Sequence, residues 1–512
     1  MGAGHPARKR RFALVDDGPA GYPAGASVAD RRAVASRWLA AAQSRSPRAF
    51  CCTDVCHDAG SGNAWPLPHG LSPGYAAPSG RSLAGRIPVG QCLHPPPQGR
   101  VELQGHTAEQ REHAMTAYLN ALGLTCSLGD SREEVSRRLF AGDSSGMVFE
   151  SGWVPERALP VGAVKSALPP IPPAVHLHHS RNNQLLLAAA LQIEDDISQA
   201  ITRFGAGRIG VIIGTSTSGI DEASESMAVW LRERTFPDDY DYRQQELGAP
   251  ANFLAAWLQL SGPAYVISTA CTSSSRALLS ARRALDMGLC DAVLCGGVDS
   301  LCRLTLQGFS ALEAMSPQLC NPFSSNRSGI NIGEAAALFL MTREADSRHS
   351  IALLGAGASC DAHHISAPEP TGRGARDAML QALRNARLEA EQIGYLNLHG
   401  TATPHNDAME SLAVQAVFPN GVPCSSTKPL SGHTLGAAGA LEAAFCWLSL
   451  APENTEQALP PHLWDGEADP LLPALHWTHS GSRLTPANAR YMMSNSFAFG
   501  GNNISLIIGD AP

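Results

Sequence analysis

From about residue 116 onward, apolar residues gather in short continuous runs separated by longer amphipathic stretches. Ala117-Tyr-Leu-Asn-Ala-Leu-Gly-Leu, Arg208-Ile-Gly-Val-Ile-Ile-Gly, Ala292-Val-Leu-Cys-Gly-Gly, Ala335-Ala-Ala-Leu-Phe-Leu-Met and Ile504-Ser-Leu-Ile-Ile-Gly are such runs. Unbroken hydrophobicity over so short a length predicts strands buried on both faces, and helices must then cover both sides of the sheet. Ser131-Arg-Glu-Glu-Val-Ser-Arg-Arg-Leu-Phe predicts one of those helices, with Ser131 and Glu134 spaced as a capping box. The alternation of the two signals predicts an α/β fold. A second strand opening, Ile351-Ala-Leu-Leu-Gly-Ala-Gly-Ala, resembles the one at Ala117 and predicts two similar halves, 115–350 and 351–512.

Residues 1–114 have a different pattern. They are rich in Pro, Gly, Ser, Ala and Arg, as in Pro66-Leu-Pro-His-Gly-Leu-Ser-Pro-Gly, and show no sustained strand alternation. Such a composition buries too little apolar surface to offset the entropy of ordering, so a disordered extension is expected, with one short helix around Val28 to Gln43. Met115, immediately before the first strand, is a second candidate for the native start of translation.

Composition narrows the function classes. A hydrophobic fraction of 44% against 16% charged residues describes a compact folded chain. A formal net charge of -8 gives no global attraction to nucleic acid or to an anionic membrane, so an acidic partner must meet a local basic patch. Arg181, Arg276, Arg282 and Arg283 are candidates for that patch. Thirteen cysteines, an odd number without scaffold spacing, point to a reducing compartment. No apolar run reaches membrane-spanning length, which predicts a cytoplasmic protein. Cys51-Cys52 with Cys56-His57 lacks a second ligand pair at zinc spacing, so no metal site is expected there. Gly214-Thr-Ser-Thr-Ser-Gly219 lacks the lysine of a P-loop, so no nucleotide site is expected either.

The chemistry begins at Cys271. Pro263-Ala-Tyr-Val-Ile-Ser-Thr-Ala-Cys271-Thr-Ser-Ser-Ser-Arg-Ala-Leu-Leu predicts a strand, a tight turn and a helix that opens on small polar residues. At such a junction the helix dipole and free backbone N–H groups favour a thiolate, so a lowered thiol pKa is expected. Three further motifs follow in order. Tyr395-Leu-Asn-Leu-His399-Gly-Thr-Ala-Thr predicts a strand that delivers His399 into a turn, with a helix beginning near Asn406 or Asp407. Lys428-Pro-Leu-Ser-Gly-His433-Thr-Leu-Gly-Ala-Ala-Gly places His433 at the start of an Ala- and Gly-rich helix, where protonation of its ring is disfavoured. Ser494-Asn-Ser-Phe497-Ala-Phe499-Gly-Gly is a glycine-rich loop carrying two aromatics.

Together these motifs resemble the β-ketoacyl-[acyl-carrier-protein] synthase family over residues 116–512. The resemblance implies a thiolase-like fold of duplicated α-β-α-β-α layers, with two mixed sheets around buried helices. It implies Cys271 as nucleophile and His399 and His433 as catalytic partners, the pair of histidines marking the chain-extending type. Lys428 and its charged partner Glu410 would organise the site, Thr401 and Thr403 would bind pantetheine, and Phe499 would act as a gate and donate its backbone N–H to an oxyanion hole. Ala498 stands where the family has Gly, which would stiffen that loop. In Asn321-Pro-Phe323-Ser-Ser-Asn-Arg327-Ser-Gly329, Ser324 and Ser328 replace two acidic residues of the family pattern, so a local salt-bridge network is expected to be missing.

The implied reaction is decarboxylative Claisen condensation of acyl-Cys271 with malonyl-carrier, in fatty acid or polyketide/aryl-polyene biosynthesis, without metal or organic cofactor. The implied partners are acyl- and malonyl-loaded acyl carrier protein and a second subunit, as a homodimer or a heterodimer with a paralogue. The alternative is a non-catalytic, chain-length-factor-like partner. A thiolase would carry a second active-site cysteine and a Gly-His-Pro sequence, which are absent.

Overall fold

The computed structural model describes residues 116–345, 351–484 and 490–511. The expectations for Val28–Gln43, for Cys51, Cys52, Cys56 and His57, and for a start at Met115 lie outside the described residues.

Thirteen strands are present among the described residues. They are β1 (Ala117–Cys126), β2 (Met147–Val154), β3 (Arg157–Gly162), β4 (Ile209–Gly214), β5 (Ala264–Ile267), β6 (Ala292–Asp299), β7 (Ala335–Thr342), β8 (Ile351–Cys360), β9 (Tyr395–Asn397), β10 (Pro423–Ser425), β11 (His476–Trp477), β12 (Tyr491–Phe497) and β13 (Asn502–Asp510). Apart from the β2–β3 hairpin they form one ladder, ordered β11-β10-β9-β12-β13-β8-β1-β7-β6-β4-β5. The ladder is two copies of one pattern. In the first, β5, β4 and β6 run parallel, and β7 and β1 follow antiparallel. In the second, β10, β9 and β12 run parallel, and β13 and β8 follow antiparallel. The copies meet where Ala117 pairs with Leu353 and Tyr118 with Ala352. The two mixed sheets implied by the resemblance are therefore halves of one ladder joined at β1 and β8.

Six helices position the site: α1 (Arg132–Ala141), α2 (Arg181–Leu191), α3 (Ser273–Asp286), α4 (Arg373–Ala386), α5 (Pro404–Val417) and α6 (Ala438–Leu450). Helix α1 starts as its sequence predicts, with the Ser131 side chain accepting the Glu134 N–H. Helices α3 and α6 lie in the middle layer, and strand alternation shows why. Along β7, Ala335, Ala337, Phe339 and Met341 join the core around α3 and α6, while Ala336, Leu338 and Leu340 join a second core with α2. Along β13, Ile504, Leu506 and Ile508 face the middle and Ile507 faces the layer of α4 and α5. Both faces of each strand are buried, as their continuous hydrophobicity requires.

The middle helices meet closely. Ser274 of α3 accepts the backbone N–H of Ala440 at 2.8 Å, satisfying a donor in the first turn of α6. A Cβ on Gly439 would lie 2.0 Å from the Ser275 hydroxyl, so only glycine permits this approach. No helix among the described residues is long and apolar enough to cross a membrane.

Gly439→Val should therefore destabilise the fold by about 1–3 kcal/mol through overpacking, measured by urea unfolding. Gly308→Ala, in a helix where an added Cβ meets nothing within 4 Å, should stabilise it by about 0.4–1 kcal/mol.

Candidate active site

Strand β5 ends at Ile267, and the chain turns sharply through Thr269-Ala270-Cys271 into α3. Ala270 adopts φ +53°, a left-handed conformation costly for a residue with a Cβ. Side chains hold the turn: Ser273 accepts the Thr269 N–H at 2.9 Å and donates to the Ala270 carbonyl at 2.6 Å, while Thr272 donates to the Thr269 carbonyl at 2.7 Å. Cys271 is left 8% exposed at the helix start. The expected lowering of its pKa does not follow. Burial pushes the thiol up to about 12, outweighing Lys428 and the backbone N–H groups of Cys271 and Phe499, which all favour the thiolate. The resting sulfur is a neutral thiol.

His399 follows the short strand β9 and is 1% exposed. Its backbone N–H and that of Gly400 donate to the two carboxylate oxygens of Glu410, at 2.8 and 2.7 Å. Gly400 is required here: its φ is +40°, and a Cβ would lie 2.5 Å from that of Ser426. Helix α5 begins earlier than expected, at Pro404 rather than Asn406 or Asp407, because proline suits the first helical position, where no N–H is needed. Asp407 in its first turn accepts the N–H groups of Ala402 and Phe323 at 3.2 and 2.8 Å. The Thr401 and Thr403 hydroxyls lie 3.0 Å apart on the same wall.

His433 is fixed by its own backbone, whose N–H donates to the Asn331 carbonyl at 2.7 Å and whose carbonyl accepts the Gly333 N–H at 3.0 Å. Its Nε2 lies 2.9 Å from the Cys271 sulfur. The His399 ring stands edge-on to the His433 ring, with centroids 5.4 Å apart. Burial first, and Lys428 second, hold both imidazoles well below the ordinary histidine pKa, so both are neutral at physiological pH. His433 is neutral as expected, but it does not stand at a helix start, since α6 begins only at Ala438; desolvation is the main cause.

The expected pairing of Lys428 with Glu410 is overturned. Lys428 Nζ forms its ion pair with Glu442 of α6, both side chains being almost fully buried. Glu410 is already saturated by the His399 and Gly400 N–H groups and by Asn495 at 3.3 Å. Glu442 had a sequence signal. It is the one charged residue in Ala438-Gly-Ala-Leu-Glu-Ala-Ala-Phe-Cys-Trp-Leu-Ser-Leu, an otherwise apolar helix, and a charge there needs a buried partner.

A cavity of about 520 Å³ is lined by Cys271, His399, His433, Thr401, Thr403 and Phe499, so these six expected residues share one space. Lys428 and Glu410 are not part of that lining. Phe499 packs against Phe309 at 5.8 Å, and His364 lines the same cavity. Ala498 does not need a left-handed backbone; that conformation falls on Gly500 and Gly501. Among the described residues, Cys271, His399 and His433 form the cluster that could offer ligands to a metal, their donor atoms lying within 4.8 Å of one another.

The salt-bridge network expected to be missing exists, with acids from another loop. Arg327 pairs with Asp469 at 2.6 Å, and Ser324 and Asn326 donate to Asp465 at 2.9 Å each. Of the candidate docking arginines, Arg181 is committed to Glu334 and Arg282 to the Leu353 and Leu354 carbonyls.

The chain resembles known proteins over this same region. It is 33% identical to 3-oxoacyl-[acyl-carrier-protein] synthase 2 of Vibrio harveyi over 339 residues, 63% of this chain and 80% of that protein. It is 33% identical to nodulation protein E of Rhizobium meliloti over 308 residues, 58% of this chain and 75% of that protein. Among solved structures it matches a chain from the complex of the ketosynthase ApeO with its chain length factor ApeC from Xenorhabdus doucetiae, with 47% identity and a TM-score of 0.73, covering 78% of this chain and 98% of that one. Residues 162–347 match the N-terminal domain of β-ketoacyl synthases and residues 351–463 the C-terminal domain. The chain belongs to the β-ketoacyl synthase family.

Proposed function

We propose that the protein is a 3-oxoacyl-[acyl-carrier-protein] synthase that condenses an acyl group held on Cys271 with a malonyl thioester. The observation that carries this reading is the 2.9 Å contact between the Cys271 sulfur and His433 Nε2 inside a cavity that also holds His399.

In the first step the Cys271 sulfur attacks the acyl thioester as its proton passes to His433 Nε2. The backbone N–H groups of Cys271 and Phe499, which face the sulfur, hold the tetrahedral oxyanion; one such donor contributes about 3–4 kcal/mol to the transition state. The carrier thiol then leaves with the proton. In the second step a malonyl thioester occupies the cavity beside Thr401 and Thr403, its carbonyl accepting hydrogen bonds from His399 and, once the ring proton of His433 has moved to Nε2, from His433. Its terminal C–C bond breaks, carbon dioxide leaves, and the electron pair enters an enolate held by the two neutral imidazoles. The enolate carbon attacks acyl-Cys271, and the C–S bond breaks to release the cysteine as a thiolate, which takes up one proton from solvent to regenerate the resting thiol. Lys428, neutralised by Glu442, supports the second step as an organiser.

The carrier partner proposed is an acyl carrier protein, in line with the names of the relatives. A second subunit is proposed at the free edge of the ladder, where Tyr265 of β5 is exposed, with a chain-length-factor-like paralogue or a second copy as occupant. Cytoplasmic location is part of the same proposal. The similarity to a chain from the complex of a ketosynthase with its chain length factor favours a polyketide or aryl-polyene pathway. A non-catalytic role for this chain is disfavoured, because a subunit that only shapes a tunnel has no use for a thiol bonded to a buried imidazole.

Cys271→Ala should reduce condensation of acyl- and malonyl-carrier to background, read by intact mass of the product; full retained activity would overturn the assignment. Cys271→Gln should keep releasing carbon dioxide from malonyl-carrier without condensing it. A thiol pushed up to about 12 stays protonated at neutral pH, and the thiolate fraction rises about tenfold per pH unit below that value. Alkylation of Cys271 by iodoacetamide, followed at its peptide, should therefore keep accelerating from pH 7 to pH 9.5, and a plateau below pH 8 would show a preformed thiolate.

A further inference from the structure

His462 lies away from the reacting groups, yet it is tied to the turn that carries His399. It is 4% exposed and stacks on Trp477, with ring centroids 4.1 Å apart and planes at 13°. Its Nδ1 lies 3.2 Å from the backbone N of Ser426. A backbone N–H can only donate, so Nδ1 is the acceptor and Nε2 carries the proton. That proton is donated to the Pro322 carbonyl at 3.2 Å. The imidazole is thus neutral and of one tautomer, and burial, which holds its pKa down at about 3, agrees.

The two groups it grips both reach the His399 turn. The Ser426 hydroxyl donates to the Gly400 carbonyl at 2.7 Å. Since the Gly400 N–H is held by Glu410, the residue after His399 is clamped at both its amide and its carbonyl. On the other side, Pro322 precedes Phe323, whose N–H donates to Asp407, the carboxylate that also takes the Ala402 N–H. The Phe323 ring lies so near Gly400 that an added Cβ would come within 3.0 Å of it. Phe323, His462, Trp464 and Trp477 form a continuous aromatic wall beneath the turn.

We propose that His462 and Ser426 are positioning residues for His399, fixing its ring direction through the Gly400 carbonyl. This rests on the condensation reading, in which the malonyl step uses both His399 and His433, whereas the acylation step uses Cys271 with His433 and makes no use of His399. The relay therefore affects one half-reaction and spares the other.

The two half-reactions can be followed separately with small probes: decarboxylation of malonyl-pantetheine, and single-turnover acylation of Cys271 by hexanoyl-pantetheine read by intact mass. Ser426→Ala, which removes one hydroxyl and leaves the backbone N–H to His462, should slow decarboxylation about tenfold through misplacement of His399, with acylation within about twofold. His462→Leu should do at least as much, and His462→Gln, whose amide can both accept from Ser426 and donate to Pro322, should recover most of the loss. Equal slowing of both steps, no slowing of either, or a Gln variant no better than Leu would overturn the proposal. If His462→Leu does not fold, Ser426→Ala decides alone. Absence of both half-reactions in the unsubstituted enzyme would overturn the condensation reading and this inference with it.

Discussion

The contact on which the arrangement depends is the close crossing of α3 and α6. Helix α3 begins two residues after Cys271 and α6 begins five after His433, so the distance between these helix starts sets the distance between thiol and imidazole. Small residues allow it: Ser274 hydrogen-bonds to the Ala440 amide, and Gly439 lies against Ser275 with no room for a side chain. Close packing of this kind transmits small displacements rather than absorbing them, which holds a 2.9 Å contact between residues far apart in sequence.

Burial at this crossing determines the electrostatics. A thiol and two imidazoles removed from water are all driven toward their neutral forms. Charges that must stay are paired or saturated: Lys428 with Glu442, and Glu410 with three N–H donors. A neutral resting site suits the proposed chemistry, since neutral imidazoles can donate to a developing enolate oxygen and a neutral thiol can surrender its proton as the new bond forms. Backbone strain gathers at the same place. Ala270, Ala402 and Leu435, each within three residues of Cys271, His399 or His433, all adopt positive φ, each at a cost of about 1–3 kcal/mol that the surrounding packing must offset.

The two similar halves explain why the site lies where it does. In each half a helix follows the parallel strands and enters the middle layer, α3 after β5 in one and α6 after β10 in the other. The halves have diverged in what stands ahead of those helices, a cysteine in one and a histidine in the other, while β9 of the second half supplies His399. One copy alone would hold only part of the set.

Much of this was legible in the chain. Continuous apolar runs revealed strands buried on both faces, the Ser131 start and the Cys271 junction were local patterns, and the ordered motifs around Cys271, His399, His433 and Phe499 named residues that share one cavity. These are properties of neighbours in sequence, where spacing and residue type suffice. The partner of Lys428 was not legible as Glu410 or Glu442, because either carboxylate could serve until the His399 turn claimed the first. Asp465 and Asp469, distant in sequence from Ser324 and Arg327, complete a network that local reading finds broken. The Cys271 pKa turned on desolvation, which no helix-start pattern encodes. The sequence by itself determined the strands, the turns and the residues that meet in the cavity. Only the tertiary structure decided which charges pair and which groups are protonated, because both depend on solvent exclusion by segments far apart in the chain.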